Sequence, residues 1–363
     1  MGAQNLLANI RYRFWILGGI SAVKRVLRKC IVCFKVNPSS IHTLMGELPE
    51  RRISPARPFF TCGVDYAGPF NIKTSTLRNS KILKAYLCVF ICFVTRAVHL
   101  EVVSDLSTSA FLNALKRFIS RRGKCQTIFS DCGTNFVGAN HEMRDFMNLI
   151  NNENFNNKVI KQLSQDGINW KFIPPRSPHF GGLWEAAVKQ AKYHLKRIVG
   201  NATLTFEELT TVFTQIEACM NSRPLSALSN DPNDLSPLTP GHFLIGDLLV
   251  ALPESDVSEV NPNRLNRFQY VKQLVQHFWN RWQRECLSEL IRRSKWDQVT
   301  GPTIKIGDLV LLKEENLPPL KWSLGRVLEL YPGSDNITRV VLVKTDHGNF
   351  KRAVAKLCIL PLA

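Results

Sequence analysis

The chain has 363 residues, 45% of them hydrophobic and 9% aromatic, which is enough to build the cores of about two or three domains. Its net charge is +18, so a polyanion such as nucleic acid is the expected large partner. No apolar run approaches the roughly 18 residues that span a bilayer, and the N-terminus lacks the patterns of a secretion signal or a lipid anchor. We therefore expect a folded protein with no membrane partner.

Residues 1–36 are predicted to form a small helical module. Apolar residues recur at three- and four-residue steps over positions 6–29, which indicates one or two helices. These lead to Cys30 and Cys33, whose spacing is that of half a zinc site. Structural zinc needs four ligands, and no second pair is evident. We therefore expect the chain to carry well under one zinc ion per molecule.

Residues 37–57 are rich in Pro, Ser, Arg and Glu without periodicity and are interpreted as a linker. The segment that follows, 58–228, begins with an apolar strand that a Gly68-Pro69 pair is predicted to end. This strand contains Asp65. Aspartate is depleted in strands, so Asp65 is expected either to be exposed at a sheet edge or to have a function.

The rest of this segment alternates between strand and helix patterns. Positions 83–103 predict two adjacent strands with a turn near Thr95 and Arg96, and 110–122 predict a helix that begins after a Ser or Thr cap and ends at Gly123. The order of elements predicts an α/β fold, a mixed five-stranded sheet with helices on both faces. The remaining predicted elements are strands at 126–130 and 170–173 and helices at about 136–150 and 206–220.

The stretch 171–188 carries the strongest indication of chemistry. A predicted strand leads through a Pro-rich turn and two glycines into a helix that begins near Glu185. On that helix Lys189, Lys192 and Lys196 follow Glu185 on one stripe, so a carboxylate and three ammonium groups share a face. This favours a metal ligand beside a phosphate-binding surface. The alternative is a solvated lysine face with an acid near a helix N-terminus, which is common without any function.

Two further acids lie near the ends of predicted elements. Asp65 lies on the first strand of 58–228, and Asp131 directly follows the strand at 126–130. Ligands of mixed sheets collect near strand ends. Singly, Asp131 could cap a helix and Asp65 could begin a turn. Together with Glu185 they indicate a carboxylate site.

Three ordered blocks of the sequence are GVDYAGPF at 63–70, FSDCGTNFVGA at 129–139 and PPRSPHFGGLWEAAVK at 174–189. They resemble the catalytic blocks of retroviral-type integrases. The closest likeness is to the integrases of BEL/Pao-class LTR retrotransposons, and it continues in Asn221 to Leu225 and Leu238 to Phe243. The likeness covers nearly the whole chain.

The resemblance implies an RNase H-like core whose catalytic acids are Asp65, Asp131 and Glu185. These carboxylates would hold Mg²⁺ or Mn²⁺, with Asp65 bridging two ions, because in-line displacement at a phosphodiester needs both oxygens stabilised. The resemblance also implies double-stranded DNA, both element ends and target, as the partner. It further implies a homo-oligomer that works in the nucleus after a cytoplasmic phase.

The chain departs from the family's pattern in two places. Asp131 and Glu185 are farther apart than in the retroviral pattern, which predicts an insertion near 141–166. At the front, Cys30 and Cys33 match the cysteine pair of the family's zinc module, but no histidine pair precedes them, which indicates a truncated module. Two alternatives to an active integrase therefore stay open: a degenerate or host-retained copy that binds DNA without catalysis, and a plain nuclease on the same fold.

Residues 229–300 are predicted to be a linker followed by a long helix at 264–292, which would pack on a neighbour or on a second copy. Its predicted apolar stripe, at three- and four-residue steps, consists of Leu265, Phe268, Val271, Val275, Phe278, Trp282, Cys286 and Leu290. Residues 301–363 predict five short strands and hence a small all-β barrel. It resembles the SH3-like C-terminal domain of integrases, which implies contact with DNA or chromatin. The residues expected to contact phosphates there are Lys321, Arg326, Arg339, Lys351 and Arg352.

Overall fold

The computed structural model describes residues 3–31, 50–77, 79–130, 136–141, 167–172, 197, 203–229, 231–290, 304–314, 317–334 and 337–361. The chain divides into two compact units, Met1–Pro49 and Glu50–Ala363.

The first unit contains two helices, α1 (Ala3–Arg11) and α2 (Gly19–Lys29), as the periodicity predicts. They approach closely at Gly19, where an added Cβ would lie 2.7 Å from Cδ1 of Leu7. Cys30 caps the C-terminus of α2 and is half-buried, whereas Cys33 lies outside the described residues. The second unit begins with a short helix, α3 (Glu50–Ile53), inside the segment interpreted as a linker.

A mixed sheet forms the centre of the second unit. Its main path has the strand order β3-β2-β1-β4-β5, and β6 pairs in parallel with the end of β1. Strand β1 is antiparallel to β2 and parallel to β4, which is itself parallel to β5. The predicted five-stranded mixed sheet is thus confirmed, with one two-residue strand added. The strands are β1 (Thr61–Lys73), β2 (Ile82–Cys92), β3 (Val98–Val103), β4 (Thr127–Ser130), β5 (Asn169–Phe172) and β6 (Leu204–Thr205).

The prediction that Gly68 and Pro69 end the first strand was wrong. Strand β1 continues to Lys73, and its pairing with β2 shifts register between Ala67 and Phe70. Proline cannot donate a hydrogen bond to the ladder, and a bulge removes the need for that bond without ending the strand. Strand β1 is also central in the sheet, so Asp65 does not lie at an edge.

Helices cover both faces of the sheet, as predicted. Helix α4 (Thr108–Arg122) begins at Ser107, whose hydroxyl accepts a hydrogen bond from the Ala110 amide, and ends at Gly123 with a φ of 84°. It buries Phe111 and Phe118 on one face, where the Phe118 ring stacks on Phe90 with centroids 4.2 Å apart. The other face is covered by α5 (Phe206–Asn221), whose first turn has a capping box, and by a long later helix.

Helix α5 also closes the edge of the sheet at β3. The side chain of Asn221 accepts from the Val98 amide and donates to the Val98 carbonyl, both at 2.8 Å. One turn earlier, Oε2 of Glu217 accepts from the Leu100 amide at 2.7 Å. These side chains take the place of a neighbouring strand and satisfy backbone groups of β3.

Glu217 belongs to a buried network of charged side chains between β3, α4 and α5. The imidazole of His99 lies 3.2 Å from Glu101 and 3.3 Å from Glu217, while Arg122 contacts the other oxygen of Glu217 at 2.5 Å. Burial alone would disfavour the charged imidazole, but the hydrogen bonds to Glu101 and Glu217 outweigh burial and raise the pKa of His99. The network therefore stabilises a protonated histidine. Arg117 and Arg121, whose side chains are exposed, complete it by pairing with the buried Glu101.

We expect the stability of the fold to fall as the pH rises through the raised pKa of His99. Because the folded-state pKa lies above the unfolded value, the stabilisation is fully present below about pH 6.5 and is lost above the folded-state pKa. Urea unfolding across the histidine titration range measures this dependence. His99→Gln should flatten it, whereas His347→Gln, in an exposed turn, should leave it unchanged. If the unfolding free energy of the wild type depends on pH in the same way as that of His99→Gln, His99 does not cause the pH dependence.

The predicted long helix is α7 (Arg267–Leu290), and it packs on α5 within the same chain. Its predicted apolar stripe is confirmed at Val271, Phe278 and Trp282, which are buried. The stripe is wrong at its ends, because Phe268 and Leu290 are exposed. The preceding connection contains a two-stranded sheet, β7 (Ser226–Ala227) and β8 (Pro237–Leu238), and the helix α6 (Pro240–Ile245).

The C-terminal residues form a five-stranded antiparallel sheet with its own core, which confirms the five predicted strands. The order is β12-β11-β10-β9-β13. Val310, Val327 and Val343 are among its buried residues. Among the described helices of the whole chain, none is both long enough and apolar enough to cross a membrane. The strands are β9 (Leu309–Leu312), β10 (Leu324–Pro332), β11 (Thr338–Thr345), β12 (Gly348–Ala353) and β13 (Leu357–Ile359).

Candidate active site

Asp65 lies on the central strand, two residues beyond the last described pair between β1 and β4. Among the described residues, that pair is Gly63 with Phe129, whereas on the other side Asp65 pairs with Val89 of β2. The Asp65 side chain is half-buried, and its Oδ1 accepts a hydrogen bond from the Tyr66 amide at 2.7 Å. Strand β1 therefore holds one carboxylate beside the end of a parallel neighbour, where ligands of such sheets collect.

The end of β4 is held against β5 by side chains. The hydroxyl of Ser130, the last residue of β4, is buried and accepts a hydrogen bond of 2.8 Å from the Trp170 indole on β5. Next to this bond, Ile128 pairs with Trp170 in the parallel ladder. The position that precedes Asp131 in the sequence is thus fixed by both backbone and side chain.

Aromatic side chains support the same region of β1. The ring of Tyr66 stacks on Phe136 with centroids 5.4 Å apart and meets the edge of Phe111 at 6.3 Å. Trp170 contacts Phe111 with centroids 5.6 Å apart. The sequence alone did not predict that Tyr66, Ser130 and Trp170 support the site. The signal that could have indicated them is that each lies beside, or on the strand next to, a predicted catalytic acid.

Of the three predicted catalytic acids, one lies within the described residues. Asp65 is described, and its carboxylate is the kind of hard oxygen ligand that Mg²⁺ and Mn²⁺ favour. Within the described ranges, no group of three or more His, Cys, Asp or Glu side chains is arranged to hold a metal ion. The predicted site residues outside the described part of the chain are Asp131, Glu185, Lys189, Lys192, Lys196 and Cys33.

One predicted phosphate contact is wrong. Arg326 is only 3% exposed, and its guanidinium donates to the carbonyl oxygens of Ser229, Asp234 and Gly307 at 2.8 to 3.0 Å. Its charge is therefore used inside the fold, because buried carbonyls need donors. Arg352 is half-buried and lies 3.5 Å from Glu314. The remaining predicted contacts, Lys321, Arg339 and Lys351, are exposed.

Two segments of the chain match known families. Residues 63–178 match the family described as integrase core domain, and residues 266–360 match a family of unknown function, DUF5641. A comparison with curated proteins finds no match.

Solved structures also show a likeness. A chain of the simian T-cell lymphotropic virus intasome in complex with PP2A regulatory subunit B56 gamma has 13% identity and a TM-score of 0.34, over 98% of this chain and 94% of that one. The HTLV-2 integrase catalytic core domain in complex with magnesium has 16% identity and a TM-score of 0.30, over 52% of this chain and 97% of that one. Residues 63–178, which begin in β1 and extend past β5, are similar to the integrase core domain.

Proposed function

We propose that this chain is the integrase of a BEL/Pao-class LTR retrotransposon, a divalent-metal-dependent polynucleotidyl transferase that processes element DNA ends and joins them to target DNA. The observation that carries the proposal is the integrase core match over residues 63–178. That segment contains Asp65, which the sheet holds beside the end of a parallel strand. The net charge of +18 supports DNA as the partner.

We assign catalysis to Asp65, Asp131 and Glu185. Support for pairing the first two comes from the register, because Gly63 lies opposite Phe129 in parallel strands. Asp65 follows Gly63 by two residues, and Asp131 follows Phe129 by two residues. Glu185 is assigned from the resemblance of its own sequence block.

The donor set suits a magnesium or manganese site, since three carboxylates would offer hard oxygen ligands. Bound there, the metal would supply stabilisation of the charge that develops on the attacking and leaving oxygens. In the chain itself, the Tyr66 amide bonded to Oδ1 orients the Asp65 carboxylate, and the stack of Tyr66 on Phe136 supports that backbone.

The proposed reaction has two displacements at phosphorus. In the first, a water oxygen attacks a phosphodiester near the element's DNA end, the bond to the 3′ oxygen breaks, and a shorter strand with a free 3′ hydroxyl remains. In the second, that hydroxyl attacks a target phosphodiester, forms the new bond and releases a 3′ hydroxyl of the target strand. In each step the attacking oxygen loses its proton and replaces the 3′ oxygen on phosphorus, and the leaving 3′ oxygen takes up a proton. The fragment released in the first step keeps the phosphate at its 5′ end. No covalent protein intermediate is needed.

A strand-transfer assay tests this function. The full chain is incubated with Mg²⁺ or Mn²⁺, a pool of blunt duplexes with randomised end sequences, and supercoiled plasmid, and joined products are read by sequencing. An integrase joins a subset of the duplex ends to the plasmid. A DNA-binding protein without catalysis retains the duplexes but yields no joined product, and a plain nuclease yields cleavage without joining.

The three lysines that follow Glu185 are proposed to contact DNA phosphates. Replacing Lys189, Lys192 and Lys196 together with Gln is expected to weaken DNA binding and to reduce the salt slope of the affinity by up to about 0.9 per lost contact. Filter binding over a range of salt concentrations measures the slope.

A triple replacement elsewhere controls for the general loss of positive charge. Lys116, Arg281 and Arg284 are exposed on α4 and α7, and their joint replacement with Gln removes the same formal charge. We expect a smaller change in slope from this control. Equal salt slopes for the two triple variants would show that Lys189, Lys192 and Lys196 contribute only through the total charge of the protein.

We further propose that the chain assembles as a homo-oligomer on element DNA ends and acts in the nucleus after a cytoplasmic phase. The oligomer follows from the proposed activity, because the joining of two element ends requires more than one active site. The nucleus is proposed because chromosomal target DNA lies there.

A further inference from the structure

The C-terminal sheet is in direct contact with the core through a tryptophan cluster. The indole of Trp322 lies 5.2 Å from Trp279 and 5.7 Å from Trp282 of α7, both at steep interplanar angles. Its N–H donates to the Ser222 hydroxyl just after α5, at 3.3 Å. Trp322 therefore joins the loop before β10 to two helices that cover the core sheet.

Arg326 forms a second contact between the sheet and the core. Its guanidinium belongs to β10, and two of the three carbonyls that it bonds belong to Ser229 and Asp234 in the connection between β7 and β8. Nearby, the Lys344 ammonium donates to the Asn233 side chain at 2.8 Å. These bonds satisfy the donors of the buried guanidinium in the docked arrangement, and undocking would break the two bonds to the β7–β8 connection.

Strand β9 is buried on both of its faces. One face lies in the sheet's own core, while Leu309 and Leu311 on the other face cluster with Ala227, Leu287 and Cys358. The Ala227 amide also donates to the Pro361 carbonyl at 3.2 Å. Undocking would expose the second apolar face of β9 to water, at a cost that scales with the area uncovered.

Helix α7 contributes to both sides of this contact. Its residues from Val271 to Trp282 complete the apolar cluster on one face of the core sheet. Its last turns supply Leu287 to the docking cluster, and the Leu287 carbonyl accepts from the Cys358 thiol at 3.5 Å. The segment that matches the family of unknown function, 266–360, therefore spans the contact instead of lying on one side of it.

The motif Asn221 to Leu225 lies at the junction of these elements. Asn221 bonds to β3, Ser222 accepts from Trp322, and Arg223 donates to the Met220 and Arg96 carbonyls. Burial lowers the pKa of Arg223 to about 10. Consecutive residues thus connect the sheet edge, the end of α5 and the C-terminal sheet.

We propose that residues 266–360 are an integral arm of the integrase core, with α7 completing the core and the C-terminal sheet locked to it in one orientation through Trp322, Arg326 and the second face of β9. The C-terminal sheet therefore does not move independently of the core. The docking of the C-terminal sheet on the core does not depend on whether the chain joins DNA.

A substitution on the core side of the contact tests the proposal. Ala227→Glu places a charge against Leu309 and Leu311 without altering any residue of the C-terminal sheet. In hydrogen exchange of the full chain, the amides of β9 are expected to exchange about tenfold or more faster, and small-angle scattering should give a larger radius of gyration. The matched control is Leu228→Glu at the next position, which is 45% exposed and should change neither reading.

Two milder variants keep the test decisive if Ala227→Glu does not fold. Arg326→Lys retains the charge but loses the fork that bonds three carbonyls, and Trp322→Phe retains a ring but loses the bond to Ser222. Each variant should increase the hydrogen-exchange rate of the Ala227 amide, which lies on the core side of the contact. The control is Arg284→Lys, on the exposed face of α7, which should increase that rate less. The proposal is overturned if β9 exchanges equally in the two glutamate variants, or if both milder variants match Arg284→Lys.

Discussion

Asp65→Asn is expected to lower the rate of strand transfer by about a thousandfold or more, because a neutral amide cannot replace a carboxylate that holds a divalent metal. The fold should be unaffected. The Asn side chain keeps an oxygen that can accept the hydrogen bond from the Tyr66 amide, which is one contact that Asp65 makes in the structure. The measurements are the yield of joined plasmid, the unfolding midpoint and the affinity for duplex DNA.

The control for this substitution is Asp346→Asn, at an exposed turn of the C-terminal sheet, which should retain full activity. Calorimetric titration with Mg²⁺ or Mn²⁺ gives a second reading, in which Asp65→Asn should lose most of the metal binding. Retained joining or equal metal affinity in Asp65→Asn would remove Asp65 from the catalytic assignment. If the wild type binds DNA without joining it, the chain is a non-catalytic DNA-binding copy.

Glu217→Ala is expected to lower the free energy of unfolding by about 3–5 kcal/mol, because it removes one partner from a buried charged network. The variant would leave the guanidinium of Arg122 and the imidazole of His99 without the carboxylate they contact. It would also leave the Leu100 amide without its acceptor. Urea denaturation monitored by circular dichroism measures the loss.

Glu207→Ala is the matched control, since Glu207 is exposed on the same helix and its loss should change stability by no more than about 0.5 kcal/mol. Glu217→Gln should fall between the two, because the amide oxygen can still accept from Leu100 but the charge is lost. A cost for Glu217→Ala no larger than that for Glu207→Ala would show that the network contributes nothing net to stability.

Local patterns predicted the elements whose formation depends on neighbouring residues. A cap at Ser107 or Thr108 and the glycine at Gly123 were predicted to mark the limits of α4, and the structure shows Ser107 as the cap. Such signals act on the adjacent turn alone. The five C-terminal strands were also predicted, because turn residues separate short β-branched runs. The resemblance of the sequence blocks agreed with the integrase core match over residues 63–178.

The errors arose where distant residues decide the outcome. The sequence predicted that Gly68 and Pro69 would end a strand, but pairing with β2 carries β1 through a bulge. It assigned Arg326 to phosphate contact, because an arginine in a basic segment has the same local pattern whether it faces water or buried carbonyls. It extended the apolar stripe of α7 to Phe268, which the packing against α5 leaves exposed.

By itself, the sequence determined the α/β class of the central segment, the all-β class of the last sixty or so residues, and the acids to be tested, because periodicity, turn chemistry and residue type are local properties. Only the tertiary structure decided that Asp65 lies on the central strand of the sheet. It alone showed that Glu217 and Asn221 close the edge at β3 and that the C-terminal sheet docks on the core. The physical reason is that these features are contacts between residues far apart in the chain, whose free energy depends on burial and on partners that no local pattern specifies.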